Sequence, residues 1–226
     1  MVLAVENLLF RRGNSDDFSV RVAQLHIAVG EQVLLYGPSG CGKSTLLSLL
    51  AGILAPQQGS IVLAGEQMVG QPMAVRDRLR ADHLGVIFQA FNLLPYLSAL
   101  DNVLLSAIFT ERRSQPGVHD LDEAEDLLCS LGLDESLIAR PAWQLSFGQQ
   151  QRVAAARALF GAPALVIADE PTSALDNSNR DALLSLLGEQ CARRDSALLM
   201  VSHDADIARH FSRLLNFAEL DQGAGQ

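Results

Sequence analysis

One segment constrains this chain more than any other: Gly37-Pro38-Ser39-Gly40-Cys41-Gly42-Lys43-Ser44-Thr45. It follows the apolar run Val33–Tyr36 and opens a helical pattern over Lys43–Ile53, so it reads as a glycine-rich turn from strand to helix. Such a turn lets successive backbone N–H groups converge on one point. The helix start adds its positive end, and the two together make a cradle for phosphate. The segment fits G-x-x-x-x-G-K-[ST] in the context that pattern requires. Lys43 then reaches the β and γ phosphates of a nucleotide as a compact charge, and Ser44 offers its hydroxyl to Mg2+. The chain carries 17 Lys+Arg, and Lys43 is the only lysine among them. A planar, forked guanidinium does not suit a pocket that wraps one flexible ammonium against a phosphate chain. Cys41 lies beside the helix start, where a thiolate is favoured, so its alkylation is expected to block nucleotide use.

A second constellation lies far downstream. Leu165-Val166-Ile167-Ala168 is apolar without alternation, as a central parallel strand covered on both faces must be. It ends in Asp169-Glu170-Pro171. Acids at the carboxyl end of such a strand sit where α/β sheets bind ligands. Asp169 is expected to hold Mg2+ through water, and Glu170 to polarise the water that attacks the γ phosphate.

The rest of the chain sets the frame. Its 226 residues, 49% of them hydrophobic, suffice for one globular unit with a sizeable core. A formal net charge of -9 disfavours wrapping nucleic acid or lying on an anionic membrane by bulk charge. The longest apolar runs, such as Leu46–Ala55, fall short of the roughly 20 residues a spanning helix needs. The start shows neither a basic region nor a cleavage site of a secretory signal. Three cysteines are too few and too scattered for a disulfide framework or a metal cluster, which points to a reducing compartment.

Strand patterns fall at Leu3–Leu9, Val20–Val29, Val33–Tyr36, Ile61–Leu63, Leu84–Phe88, Leu165–Ala168, Ala197–Val201 and Leu214–Phe217. Helical patterns fall at Lys43–Ile53, Met73–Ala81, Ala99–Phe109, Leu121–Leu131, Gly148–Phe160, Asn179–Ala192 and Ala205–His210. A strand-rich start, a helical middle and an alternating end predict an α/β sheet domain with a helical insertion. The acidic stretch Asp120–Asp126 reads as a solvated helix start.

These motifs, taken in order, resemble the ATP-binding subunits of ABC transporters over nearly the whole chain. Phe88-Gln89 looks like the Q-loop, and Leu145-Ser146-Phe147-Gly148-Gln149 with Gln150-Gln151-Arg152 is similar to the family signature. Asp169-Glu170 matches the Walker B site, Ser173-Ala174-Leu175-Asp176 the D-loop, and His203 in Val201-Ser202-His203-Asp204 the switch histidine. The long interval between Lys43 and Asp169 leaves room for the family's helical insertion. His26, His83, His119 and His210 lack such context and read as surface or packing residues.

The resemblance implies a P-loop NTPase core of the RecA kind, with an N-terminal antiparallel β subdomain and a helical insertion that carries the signature. It implies one domain over 1–226, with a nucleotide-binding core at about 1–88 and 162–226 and a helical subdomain at about 89–161. ATP and Mg2+ are the implied cofactors. Gln89 would coordinate Mg2+ or water and report nucleotide state to a membrane partner through the loop ending at Pro95. Ser146 and Gly148, just before the helix Gln149–Phe160, form a second anion-seeking helix start. In the family the signature of one subunit closes over the P-loop of the other. That implies an ATP-driven, head-to-tail homodimer on an integral membrane permease, with Gln149 and Asp176 also beside the nucleotide and no nucleic acid as partner.

Two departures stand out. Phe147 occupies a position that is often glycine, and Arg12 falls where family members stack adenine on an aromatic ring. Phe10 or a guanidinium face is left to cover the base. The stretch from Gly85 to Val103 looks most like the lipoprotein-releasing and macrolide-efflux subgroup, and the short ending after Phe217 suits a minimal transporter ATPase. This implies a cytoplasmic subunit on the inner membrane face that powers export or extraction of a lipid-linked, peptide or drug-like substrate. Two other classes compete: an ABC-type ATPase acting on DNA, ribosomes or cell division, and a non-hydrolysing clamp. The first usually brings a coiled coil, a second ATPase half or a basic surface, and intact Glu170 and His203 oppose the second.

Overall fold

In the computed structural model, which describes residues 1–12, 19–110, 119–172 and 175–220, every strand pattern above becomes a strand. In chain order these are β1 (Leu3–Arg11), β2 (Ser19–Ile27), β3 (Gln32–Tyr36), β4 (Gln58–Leu63), β5 (Glu66–Gln67), β6 (Leu84–Ile87), β7 (Leu165–Asp169), β8 (Ala197–Ser202) and β9 (Arg213–Asn216). The short β5 is not legible in the sequence, since two polar residues carry no periodicity. The helices are α1 (Lys43–Leu50), α2 (Met73–His83), α3 (Ala99–Leu104), α4 (His119–Ser130), α5 (Phe147–Leu159) and α6 (Asn177–Arg193).

The strands form two sheets. One is antiparallel in the order β2-β1-β4-β5, and the other is parallel in the order β6-β7-β8-β3-β9. The apolar strands β7, β8 and β3 occupy the middle of the parallel sheet, where both faces need cover. Alternate residues divide between two cores. Val33, Leu35, Ile167, Leu199 and Val201 join α1 and the antiparallel sheet, while Leu34, Val166, Ala168, Leu198 and Met200 join α3, α4 and α5. The parallel sheet is thus the common wall of both cores.

Several helix ends differ from the periodic reading, each for a local reason. α1 stops at Leu50, and the chain turns at Gly52, whose φ is 66°. The pattern Ala99–Phe109 tightens into a 3-10 turn over Leu105–Phe109, and Ala205–His210 is only a 3-10 turn over Asp206–His210. α6 begins earlier than expected because the Asp176 carboxylate caps it, accepting from the Asn179 N–H at 2.9 Å. α5 begins at Phe147 because Ser146 is its cap, so Gly148 lies inside the first turn, not before the helix.

α5 rests directly on the edge strand β6. A Cβ on Gly85 would lie 2.0 Å from the Ala158 carbonyl oxygen, a backbone atom that cannot swing aside. We expect Gly85→Ala to destabilise the fold by about 1–3 kcal/mol, seen as a lower urea midpoint at unchanged slope. An unaltered midpoint would mean that α5 does not seat on β6.

Candidate active site

Parallel register brings the predicted groups to one edge. Tyr36 at the end of β3 pairs with Ser202 at the end of β8, and Asp169 at the end of β7 pairs with Val201. The glycine-rich loop, His203 and Asp169-Glu170 therefore leave three adjacent strands at the same level. Gln89 follows β6 on the far side of β7.

The loop is built around its glycines and its lysine. Gly42 holds φ 113°, which only glycine adopts without strain, and from it α1 starts with no side-chain cap and no acid in its first turn. The helix start is left open to an anion. Lys43 is buried at 5% exposure, and its Nζ donates to the carbonyls of Gly37 at 2.8 Å and Pro38 at 2.9 Å. The same nitrogen lies 4.0 Å from Glu170 Oε1. Ser39, Gly40, Gly42, Lys43, Ser44, Thr45, Gln89, Asp169, Glu170 and Arg12 line one cavity of about 380 Å³. Cys41 is half-buried in the same loop, its N–H directed to the Pro38 carbonyl at 3.4 Å.

The acidic pair divides its work. Burial pushes the Asp169 carboxyl above the usual range, opposed by a hydrogen bond from Ser44 and by the charge of Lys43. Ser44 and Asp169 thus offer a hydroxyl and a carboxylate side by side, hard oxygen donors of the kind Mg2+ takes together with phosphate and water. Glu170 has a left-handed backbone, φ 46°, held by its N–H to the Val201 carbonyl at 3.0 Å. That turn aims the carboxylate back across the strand ends, where Oε2 meets His203 Nδ1 at 3.0 Å. Behind His203, Asp204 is fixed by Arg180 at 2.6 Å and by its own N–H to Ser202 Oγ at 3.0 Å.

The signature residues lie elsewhere. Ser146, Phe147, Gly148, Gln149 and Asp176 line a second cavity of about 470 Å³, together with Arg152 and Asn179. Ser146 and Gln149 form a capping box: Ser146 Oγ accepts from the Gln149 N–H at 3.4 Å, and Gln149 Oε1 accepts from the Ser146 N–H at 2.8 Å. The Asp176 carboxylate is likewise engaged, accepting from Asn179 N, Asn179 Nδ2 and Ser178 Oγ, and these bonds hold its pKa low. A Cβ on Gly148 would meet nothing within 4 Å. Glycine in a helix costs about 1 kcal/mol relative to alanine, and the isolated fold sets no demand for it.

Other expectations resolve in detail. Arg12 lines the loop cavity, whereas Phe10 packs against the first core. Phe147 leans its ring on Phe91, centroids 4.7 Å apart. His26 lies beside Glu6, His83 is buried beside Glu66, and His210 contacts Asp181. Ser173 and Ala174 of the D-loop and the His119 side chain lie outside the described residues. Sequence reading misses Arg180, which steadies the residue after His203, and Gln151, whose amide donates to the Pro171 carbonyl beside Glu170. Helical spacing from Asp176 to Arg180 is the one signal that marks Arg180; Gln151 has only its place in the signature helix.

Comparison with known proteins agrees with this geometry. A family model described as ABC transporter matches residues 20–173. The chain is 41% identical over 192 residues to the uncharacterized ABC transporter ATP-binding protein YbbA of Escherichia coli (strain K12), spanning 85% of this chain and 82% of that one. It is 41% identical over 193 residues to the lipoprotein-releasing system ATP-binding protein LolD 2 of Rhodospirillum rubrum, with the same coverage of 85% and 82%. Among solved structures it superposes on the dimeric post-hydrolysis state of the ATP-binding cassette MJ0796 bound to ADP and Pi. The TM-score is 0.83 at 32% identity, over 95% of this chain and 93% of that chain. It also superposes on cbiO1 from Clostridium perfringens, part of the ABC transporter complex cbiONQ, with TM-score 0.81, 27% identity and coverage of 95% and 84%.

The cysteines provide a chemical test of the loop. Burial pushes the Cys191 thiol up to about 12, and burial with the carboxylates of Glu135 and Asp126 raises that of Cys129. A maleimide at neutral pH should therefore reach the half-buried Cys41 and the exposed Cys129, and Cys191 only on unfolding. Labelling of Cys41, followed by peptide mass, should abolish phosphate release, and MgATP should protect it. Full labelling with activity retained would place the nucleotide elsewhere.

Proposed function

The chain belongs to the ABC transporter family as an ATP-binding, ATP-hydrolysing subunit, and from that premise we propose how its two cavities work together. Two copies associate head to tail, each closing its signature cavity over the glycine-rich loop of the other. The observation that carries this is the division of the site within one chain. Lys43, Asp169 and Glu170 line one cavity, with His203 held to the Glu170 carboxylate, while Ser146 and Gly148 line another. Gly148, for which the isolated fold has no use, finds its reason in a phosphate approaching the helix start from the partner's side.

In this arrangement Lys43 exchanges the Gly37 and Pro38 carbonyls for phosphate oxygens, within reach of a short side-chain swing. Ser44 and Asp169 hold Mg2+, which when bound neutralises charge on the phosphates. Glu170 accepts the proton of the attacking water. The His203 Nδ1–H donates to Glu170 Oε2, which fixes the carboxylate toward the cavity and leaves the ring's other nitrogen toward the phosphate. Gln89 and Arg12 close the cavity on the polar and the base side. The short distance between His203 and Glu170 favours hydrolysis over a non-hydrolysing clamp.

The partner in the membrane is a separate permease. Among the described residues no helix is long and apolar enough to cross a membrane. A largely apolar groove of about 480 Å³, lined by Ile53, Leu84, Val86, Phe88 and the strongly exposed Phe109 with Asp77, Arg80 and Arg157 at its wall, opens beside the Gln89 turn, and the exposed Ile108 adjoins it in sequence. An apolar groove contiguous with a nucleotide-contacting turn suits a permease segment that must sense nucleotide state. Docked there, the subunit works at the inner membrane face. The likeness to the lipoprotein-releasing relative supports export or extraction of a lipid-linked, peptide or drug-like substrate.

Glu170→Gln should lower phosphate release at least about a hundredfold and trap an ATP-bound dimer visible by light scattering. If this variant, saturated with MgATP, stayed monomeric at every concentration, alone and with its permease, the shared site would be excluded.

A further inference from the structure

The turn that displays Gln89 is held from outside by α5. The Phe91 N–H donates to the Phe88 carbonyl at 3.0 Å, closing a turn with Gln89 and Ala90 at its tip. Phe91 and Asn92 then both adopt left-handed backbone, with φ of 60° and 51°. Asparagine tolerates that conformation, but the bulky Phe91 disfavours it and persists there only where surrounding contacts over-determine it.

Beside the Asn92 N–H to the Ala90 carbonyl at 2.6 Å, one side chain reaches both residues. Arg157 Nη1 donates to the Asn92 carbonyl at 2.7 Å, and Nη2 donates to the Phe91 carbonyl. The guanidinium fork therefore fastens both left-handed residues at once. Among the described residues Arg157 pairs with no carboxylate, and burial lowers its pKa, so these carbonyls are what its charge rests on. A second tie is independent. Phe91, 4% exposed, packs its ring, tilted by 56°, against that of Phe147, the first residue of α5.

We propose that Arg157 is a positioning residue for Gln89, and that Phe147 joins the same turn to the signature tip. The glutamine that faces this chain's own nucleotide and the helix start that faces its partner's are thereby parts of one rigid piece. Arg157 also lines the apolar groove, so an occupant of the groove presses on the same piece. The catalytic half of this inference rests on the ATPase function proposed above.

Amide hydrogen exchange on the nucleotide-free full-length protein reads the turn without any activity. Arg157→Met should speed exchange in segment 88–92 at least about tenfold while β7 and β8 keep wild-type rates. Arg157→Lys, which retains charge and reaches one carbonyl, should fall between, and it carries the test if the methionine variant does not fold. Unchanged exchange in 88–92, or equal acceleration throughout the sheet, overturns the proposal. In phosphate release, Arg157→Met should lower kcat roughly tenfold with KM for ATP within about twofold. On a Gln89→Ala background the same change should cost nothing further, because its effect passes through Gln89. A full loss on both backgrounds overturns the positioning role. Absence of phosphate release by the wild type would instead refute the ATPase function, while exchange would still decide whether Arg157 holds the turn.

Discussion

The carboxylate of Glu170 is the point on which the reacting edge depends. It stands between Lys43 Nζ at 4.0 Å and His203 Nδ1 at 3.0 Å, groups that leave three neighbouring strands. Parallel pairing sets those strands at one level, and the left-handed backbone of Glu170 turns its side chain across them. A slip of one residue between β7 and β8 would carry Glu170 to the other face of the sheet and dissolve the cluster. The buried apolar strands that hold the register are therefore part of the chemistry.

Local dipoles outweigh the overall charge. A chain with net charge -9 is a poor anion binder by its bulk field, yet two helix starts present backbone N–H groups to open cavities. The two differ. α1 has no cap and no acid in its first turn, and Lys43 sits at its first position. α5 is capped by Ser146 and Gln149, so some of its donors are already satisfied. The first suits a doubly charged phosphate end with its metal, and the second suits a complementary touch from the opposite side.

α5 links these parts. Its start carries the signature, Gln151 reaches the Pro171 carbonyl beside Glu170, Arg157 holds the turn after Gln89, and the carbonyl of Ala158 rests on Gly85. Within one helix, residues three to four apart share a face, but Ser146 and Arg157 are three turns apart. One rigid rod therefore touches both the edge where Glu170 stands and the signature cavity. This is why its length and seating matter as much as its sequence motif.

The residues proposed to act chemically are legible in the sequence by itself, because such chemistry demands particular side chains at particular spacing. The glycines and Lys43 of the loop, the acids ending an apolar strand, and Ser146 ahead of a helix announce themselves by local physics. Runs such as Leu165–Ala168 likewise declare a strand covered on both faces. Hidden from such a reading is whatever depends on residues distant in the chain. Arg157 looks like any helical arginine until the fold lays two left-handed carbonyls against it. Phe10 and Arg12 are equal claimants for the base until packing draws the ring toward the core and leaves the guanidinium at the cavity. The roles of Gln149 and Asp176 as caps, and the separation of the signature from the loop, likewise emerge only from tertiary structure. Spacing along a chain encodes which groups are present and how each helix begins, but distances between elements are set by the closing of two cores over one sheet.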